Sequence, residues 1–590
     1  MKRKSVASSS HRQQKTAEEV PNERHDRVAS WAWGGLFLAA AFLLGCVEMA
    51  DTDIWWHIRT GQLIFERGKI PQHDWFTYTN PESPWIDLHW GFQLGVASLY
   101  ALGGVAALVL AKSVVGTLTF AVSLAAQPAR WPMWQAAACL LPSLLLFAGR
   151  YYVRPEMLSL FFLACTLHLL FYAHSHPRRL WWLLLIQLAW INTHALFVLG
   201  QAIWWMFLAD AAWRSWGPAK FRTWGAADEE LTPPRWKMWS VLTVLQPAVC
   251  LLNPYGWRGL MFPVTLWTRI SGSQRDFYRQ LAGEFSGMSE YLQRYGLQGL
   301  WSNLSALMLT VLLLGGTISF VLLARQRRVS VWRLLLFVSF GYLAWQANRN
   351  GVLFAIVGGM VLRWNVGEWL ELGGVHAAGP LIAGKQNSLQ WAKMGVAVAL
   401  TMLVLSIPSN VYSYAFRPLP AYPVRPRWFG WNVAPHWYTF GSVAYLGQPD
   451  MPKNCYASHL GHASLYLFAH GPQRRVFADP RLEVNTPETL AAYLRLKQLL
   501  VTHNPQAEVL LKASLPAADW PALMLDLSEI EEVHEALLHH PRWRPVYYDD
   551  VTLVLLHVDL LAKHPQEIPD LAPLLEHWKM LRALRERRQR

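Results

Sequence analysis

The chain has 590 residues, 53% of them apolar and only 16% charged, against roughly 25% charged in soluble domains. That composition excludes a disordered chain, argues against an ordinary soluble protein, and suffices for about eleven membrane spans of ~20 residues each. The net charge of +14 points less to nucleic acid than to membrane topology, because basic residues in polytopic proteins mainly fix orientation.

Residues 1–30 are polar and carry seven basic side chains against four acidic ones. They read as a disordered cytoplasmic tail. Trp31 to Ala50 is an apolar run with no small-residue cleavage site after it, so it reads as an uncleaved first helix. Further candidate spans cover 92–124, 132–149, 156–174, 180–192, 194–212, 238–253, 302–324, 332–347, 350–364 and 393–409. The break at Asn192-Thr193-His194 is polar, and a polar break at membrane depth must line a protein-walled cavity. With the N-terminus inside, Arg130, Arg178, Arg179, the 213–237 loop and Arg325 to Arg328 all fall on the cytoplasmic side, as the positive-inside rule requires. The fold class is therefore mainly α: a polytopic transmembrane helical bundle of about eleven spans over 31–409, with an outer loop at 51–91 and a small C-terminal α/β extracytoplasmic domain over 410–590.

The outer domain is announced by local signals. Arg474 to Asp479 reads as a strand. Thr486-Pro487-Glu488 reads as a capped helix start, and Ser528 with Glu531 as a capping box. Pro545 to His557 reads as a hairpin around Asp549-Asp550. Leu571 to Arg590 reads as an amphipathic basic helix, fit either for anionic lipid or for solvent. The five cysteines (Cys46, Cys139, Cys165, Cys250 and Cys455) show no disulfide or zinc spacing.

Polar clusters unlike ordinary loops all fall on the outer face: Asp51 to Trp90, Arg150 to Arg154, Asn192 to His194, Asn253 to Gly256, and Asn348 to Asn350. Their convergence is the strongest sign of a site. In Asp51-Thr-Asp53-Ile-Trp-Trp-His57-Ile-Arg59, Trp55 and Trp56 suit a membrane interface. The carboxylates can take a proton or hold a divalent cation, magnesium or manganese. If the stretch is helical, Asp53 and His57 share a face, and His57 with Arg59 can hold a phosphate. Asp87 and His89 form a second acidic–imidazole pair. Ionisable groups at the membrane default to function, yet each has a plainer reading. Arg150 and Arg154 can be snorkelling anchors, Asn192 and His194 helix caps, and Asp479 with Arg481 an internal ion pair. Arg349, between two apolar spans, is harder to explain away.

These residues carry a resemblance. The first helix followed by an acidic outer loop resembles the polytopic glycosyltransferases of the GT-C superfamily, in particular bacterial relatives of the protein mannosyltransferases and lipid A sugar transferases. Asp53-Ile-Trp-Trp-His-Ile-Arg-Thr-Gly61 is similar to the signature of a bacterial subgroup of these. Arg154-Pro-Glu156, Trp190-Ile-Asn-Thr-His194, Asn253-Pro-Tyr-Gly-Trp257, Arg349 and Val476-Phe-Ala-Asp-Pro-Arg-Leu-Glu483 extend the likeness.

The resemblance implies a multi-pass protein of the bacterial cytoplasmic membrane. It implies an inverting hexosyl or pentosyl transfer from a polyprenyl-phosphate sugar to a hydroxyl of a glycan, lipid or protein acceptor, with no nucleic acid involved. Asp53 or Asp51 would be the base. Arg59, Arg150, Arg154 and Arg349 would hold the lipid phosphate. His57, Asp87, His89, Asn192, His194, Asp479 and Arg481 complete the candidate set. The Asp-x-Asp pattern departs from the Asp-Glu pair of the mannosyltransferases and leaves the base and the metal open. A secondary transporter or flippase, or a non-catalytic scaffold with a similar shell, is the competing class.

Overall fold

The structure, a computed structural model, describes residues 23–218, 235–271, 286–373, 383–415, 427–513, 515–516, 519–527, 537–576 and 579. The N-terminal tail up to residue 22, the Ser528/Glu531 capping box and the arginine-rich end from residue 580 lie outside them.

Each apolar run anticipated above carries a helix, and α2 and α9 are two more outside the anticipated spans: α1 (Glu23–Gly45), α2 (Ile54–Arg67) in the outer loop, α3 (Trp90–Ala125), α4 (Met133–Ala148), α5 (Pro155–Phe171), α6 (Trp182–Ile191), α7 (Val198–Trp216), α8 (Trp236–Val249), α9 (Trp257–Ser271), α10 (Leu304–Arg325), α11 (Val331–Gln346), α12 (Gly351–Leu372) and α13 (Ala383–Ser406). Among the described residues, four helices are long and apolar enough to cross a membrane: 90–125, 195–216, 304–325 and 388–406. The others are shorter or more polar than a lone span needs, so the count of eleven is not fixed by length and composition.

Two boundaries differ from expectation. The first helix ends at Gly45, and the next residues pair with a later strap, Val47 with Phe429 and Met49 with Val433. The 92–124 run is broken at Gly103 and Gly104, where Gly104 takes a left-handed φ of 58° that other residues resist. The 180–212 run splits at Asn192 to His194 as expected. α12 is buried around nearly its whole circumference and packs on α4, α5, α10 and α11, making it the axis of the bundle.

The outer domain holds a five-stranded sheet, order β2-β1-β3-β5-β4, made of β1 (Asn454–Ala457), β2 (Arg475–Val476), β3 (Ala522–Asp526), β4 (Trp543–Tyr548) and β5 (Thr552–His557). β1 is parallel to both neighbours, with Cys455 opposite Val476 and Ala522, while β5 runs antiparallel to β3 and β4. Alternation decides its two faces. Cys455, Ala457, Ala522, Met524, Val554 and Leu556 face one core; Tyr456, Leu523, Leu525, Leu553 and Leu555 face the other. The second face is covered by α15 (Pro487–Val501) and α16 (Gln506–Lys512). Thr486 caps α15 by accepting the Thr489 N–H at 3.2 Å, with Pro487 at the first helical position.

The first face is covered by α14 (Leu460–His470) and by α2. Trp55 and Trp56 are thus buried between the outer loop and the outer domain instead of resting at a membrane interface. Burying such side chains is worth about 1.5–3 kcal/mol each. Loop and domain are pinned by the Trp56 N–H donating to Ser464 Oγ at 3.0 Å. Thr77 extends the β2 edge by pairing with Val476.

Candidate functional site

α5 starts as its sequence dictates: Arg154 is extended, Pro155 fixes the first helical φ, and Glu156 sits in the first turn. Arg154 therefore projects from a helix entrance toward the loop that opens α2. Its Nε donates to both Asp51 oxygens, at 3.0 and 3.2 Å, and its terminal nitrogen lies 3.0 Å from Asp53 Oδ2. Asp51 Oδ1 also accepts the Asp53 N–H at 3.1 Å, and Tyr438 donates to the Asp51 carbonyl at 2.9 Å. The two carboxylates differ in access. The Asp51 side chain is 1% exposed; those of Asp53 and Arg154 are each 24% exposed. One carboxylate is walled in, and the other faces outward beside a cation. The Arg154 guanidinium takes the place between them that a bridging magnesium or manganese ion would need, so the pair as arranged does not fit such an ion.

A ladder of rings leads away from this triad. His57 stacks on Trp56 at 3.6 Å and meets His89 at 5.5 Å and Phe92 at 5.2 Å. His89 meets His194 at 5.4 Å, and the charge of Arg349 acts on His194 at the far end. His194 is held by Ser159 Oγ, 2.7 Å from its Nδ1, and that oxygen takes the Trp190 indole N–H at 2.8 Å. An indole only donates, so Ser159 Oγ accepts from Trp190 while sharing a hydrogen bond with the His194 ring.

His57 does not pair with Asp53 despite the four-residue spacing. Burial holds its pKa well below the ordinary value, and His89, Arg154, His194 and Arg481 push the same way; neither Asp51 nor Asp53 figures among the charges acting on it. A neutral, buried imidazole is no phosphate clamp. His89 behaves oppositely. Burial pulls it down, but the Asp87 carboxylate, 3.5 Å from its Nδ1, and the charge of Glu483 outweigh that and leave it raised. Asp87 Oδ1 accepts the His89 N–H and the Gln93 amide, each at 3.1 Å.

Several sequence candidates serve the scaffold. Arg59 donates to the Gly471 carbonyl at 2.8 Å and to Glu66 at 3.0 Å, tying α2 to the outer domain, not to the carboxylates. Arg150 turns to Glu156 at 3.4 Å. Asn192 accepts the Trp90 indole N–H and the Gly91 N–H and donates to the Leu188 and Leu252 carbonyls, which joins three polar clusters. Asp479 and Arg481 form a fully buried pair, with Arg481 reaching Asp74 at 2.6 Å and lying over the Trp85 ring at 4.3 Å. The scattered clusters do meet, as Tyr255 donating to the Pro71 carbonyl at 2.7 Å also shows.

Sequence reasoning passed over several residues at the site. Tyr438 and Arg427, the latter 5.0 Å from the Tyr152 ring that Arg154 also faces at 5.3 Å, lie in a segment with no readable pattern. Lys112 donates to the Val47 carbonyl at 3.2 Å. It had a signal, being a lone cation inside an apolar run.

The chain has the fold of an oligosaccharyltransferase. AglB from Archaeoglobus fulgidus, in complex with an inhibitory peptide and a dolichol-phosphate, overlaps 86% of this chain and 71% of its own, at TM-score 0.51 and 12% identity. An Archaeoglobus fulgidus oligosaccharyltransferase in the apo form gives the same coverages at TM-score 0.52 and 11% identity. ArnT from Cupriavidus metallidurans bound to undecaprenyl phosphate covers 89% of this chain and 98% of its own at TM-score 0.41 and 17% identity. No protein-family model and no curated protein matches the sequence. The overlap with AglB is a likeness of fold.

Proposed function

We propose that the chain is a membrane glycosyltransferase. It moves a sugar from a polyprenyl-phosphate donor to an acceptor hydroxyl at the outer face of the cytoplasmic membrane, with eleven crossings and residues 410–590 outside. The observation that carries this reading is the half-open triad: a partly exposed Asp53 carboxylate beside the Arg154 guanidinium, in a chain with the fold of AglB. AglB itself is known in complex with a dolichol-phosphate, and a lipid phosphate is the leaving group this chemistry requires.

In the proposed reaction Asp53 takes the proton of the acceptor hydroxyl as that oxygen attacks the anomeric carbon. The new carbon–oxygen bond forms as the bond to the phosphate oxygen breaks, the anomeric centre inverts, and the lipid phosphate departs. The phosphate is a weak base and needs a cation, not a strong acid. Arg154 supplies it from its place beside Asp53, and Arg349 is the second candidate. A carboxylate is a modest base for an alcohol, so positioning does much of the work, and the walled-in Asp51 holds Arg154 for that purpose.

The test is a membrane assay with polyprenyl-phosphate sugars, comparing wild type with Asp53→Asn and Asp51→Asn. Both variants are expected to lose transfer, Asp53→Asn by about 10²–10⁴-fold. Full transfer by both removes the proposed base and, with it, the mechanism.

A further inference from the structure

One cluster in the outer domain lies outside the triad and its ladder. His459, His462 and Asp526 each present one ligand atom, and these atoms all lie within 4.8 Å of one another. His462 Nε2 is 2.6 Å from Asp526 Oδ2, and the His459 and His462 rings are 5.1 Å apart. His462 and Asp526 are 1% and 2% exposed, while His459 is half-buried. The cluster is thus closed at its base and open on one side.

Its position in the sheet is a second, independent observation. β1 lies between β2 and β3 and is parallel to both. The chain leaves β1 through α14 toward β2 on one side, and β3 lies on the other. The carboxyl ends of β1 and β3 are therefore the point where strand order reverses, and α/β sheets bind ligands in the crevice outside such a point. His459 and His462 follow the end of β1, and Asp526 is the last residue of β3. Ser458 fastens the two ends together: its N–H donates to the Met524 carbonyl at 2.9 Å, and its Oγ accepts the Asp526 N–H at 2.7 Å. Tyr493 donates to its carbonyl. The three side chains are held in register before anything binds.

We propose that His459, His462 and Asp526 form a site for a divalent transition metal of the zinc type, with three protein ligands and an open fourth position. Two imidazoles and one carboxylate are a borderline-soft donor set that suits zinc better than magnesium or calcium. Bonds of about 2.0–2.1 Å place tetrahedral ligand atoms about 3.3 Å apart, so the cluster contracts by small side-chain rotations on loading. The metal replaces the proton shared by His462 and Asp526. His459 Nδ1 accepts the Gly461 N–H at 3.1 Å; ligation through Nε2 puts the imidazole proton on Nδ1 and gives up that one cap.

The site adjoins the acidic loop. A Cβ built on Gly461 would stand 2.5 Å from Thr52 Cβ, so the segment carrying both histidines lies directly on the residue between Asp51 and Asp53. Metal occupancy fixes α14 against that loop. The inference does not depend on the proposed sugar transfer.

The test uses the full chain in detergent, without a polyhistidine tag, stripped with chelator and dialysed against zinc, with bound metal measured by atomic emission. Cobalt-loaded protein is read by visible absorption. One ion per chain is expected in the wild type and in the Asp51→Asn/Asp53→Asn double variant. His462→Gln and Asp526→Asn should bind at least tenfold more weakly. The His459→Gln variant, altered at a half-buried loop position, carries the same expectation and serves where a buried variant fails to fold. No stoichiometric ion in the wild type, or loss of the ion only in the double variant, overturns the assignment.

Discussion

Two triads of the same composition, each of two aspartates and one arginine, stand in this molecule. In one, Arg481 joins Asp479 and Asp74, and all three side chains are completely buried. In the other, Arg154 joins Asp51 and Asp53, and two of the three side chains are a quarter exposed. The buried triad is held by rings and hydrogen bonds, with Arg481 Nη1 alone among its guanidinium nitrogens lacking a partner. Arg481 lies over Trp85 and Phe76 at 4.3 and 4.9 Å, and Asn485 donates to the Asp479 carbonyl at 2.9 Å. Asp74 accepts the N–H groups of Phe76 and Thr77 at 3.0 and 2.9 Å. Such a group locks the outer loop to the outer domain and has no face for a substrate. The open triad has the same charges, with Asp53 and Arg154 reaching the surface. Burial, not residue type, separates the lock from the candidate catalyst.

The largest expected effects come from exchanging the two. Asp53→Asn should lower transfer by about 10²–10⁴-fold while changing stability by less than about 1 kcal/mol, the range of exposed ion pairs. Arg481→Met should do the reverse. It leaves Asp479 and Asp74 buried without their cation, which costs about 3–5 kcal/mol. Unfolding of purified protein, followed by the near-ultraviolet signal of the buried tryptophans, measures the second effect. If Arg481→Met unfolds like wild type, or if Asp53→Asn is the less stable of the two, the division between lock and catalyst fails.

That division was only half legible in the sequence. Asp51, Asp53 and Arg154 stood out because charge beside apolar helices is costly, and Thr486-Pro487 announced a helix start that the chain uses. Which aspartate an arginine meets depends on tertiary contacts: Arg481 reaches Asp74, 407 residues away. Arg59 was drawn into the site by its nearness to His57, but residues two apart on a helix point to different faces, and its guanidinium goes to Gly471. Trp55 and Trp56 looked like interface anchors because the sequence does not say that a sheet will cover them. His462 and Asp526 are 64 residues apart, and no spacing rule links them; only the parallel pairing of β1 with β3 does.

His57 ties the two triads together, since both Arg154 and Arg481 act on it, and this gives the finest test of the comparison. Its pKa is lowered from the ordinary 6.5, so the unfolded chain binds the proton first and stability falls as pH drops below about 6.5. His89 is raised from the same value. Its contribution is complete below about 6.5 and is lost as pH climbs through the higher folded value. A tenfold difference in proton affinity between the folded and unfolded chain is worth about 1.4 kcal/mol. The two histidines therefore remove stability on opposite sides of one pH, and the difference between wild type and each variant isolates them. His57→Phe should be less acid-sensitive than wild type below about pH 6.5, and His89→Gln less alkali-sensitive above about pH 6.5, both read as melting temperature against pH. A wild-type acid limb that survives in His57→Phe would mean that the ring between the two arginines is not the neutral spacer that keeps a third positive charge out of the seam.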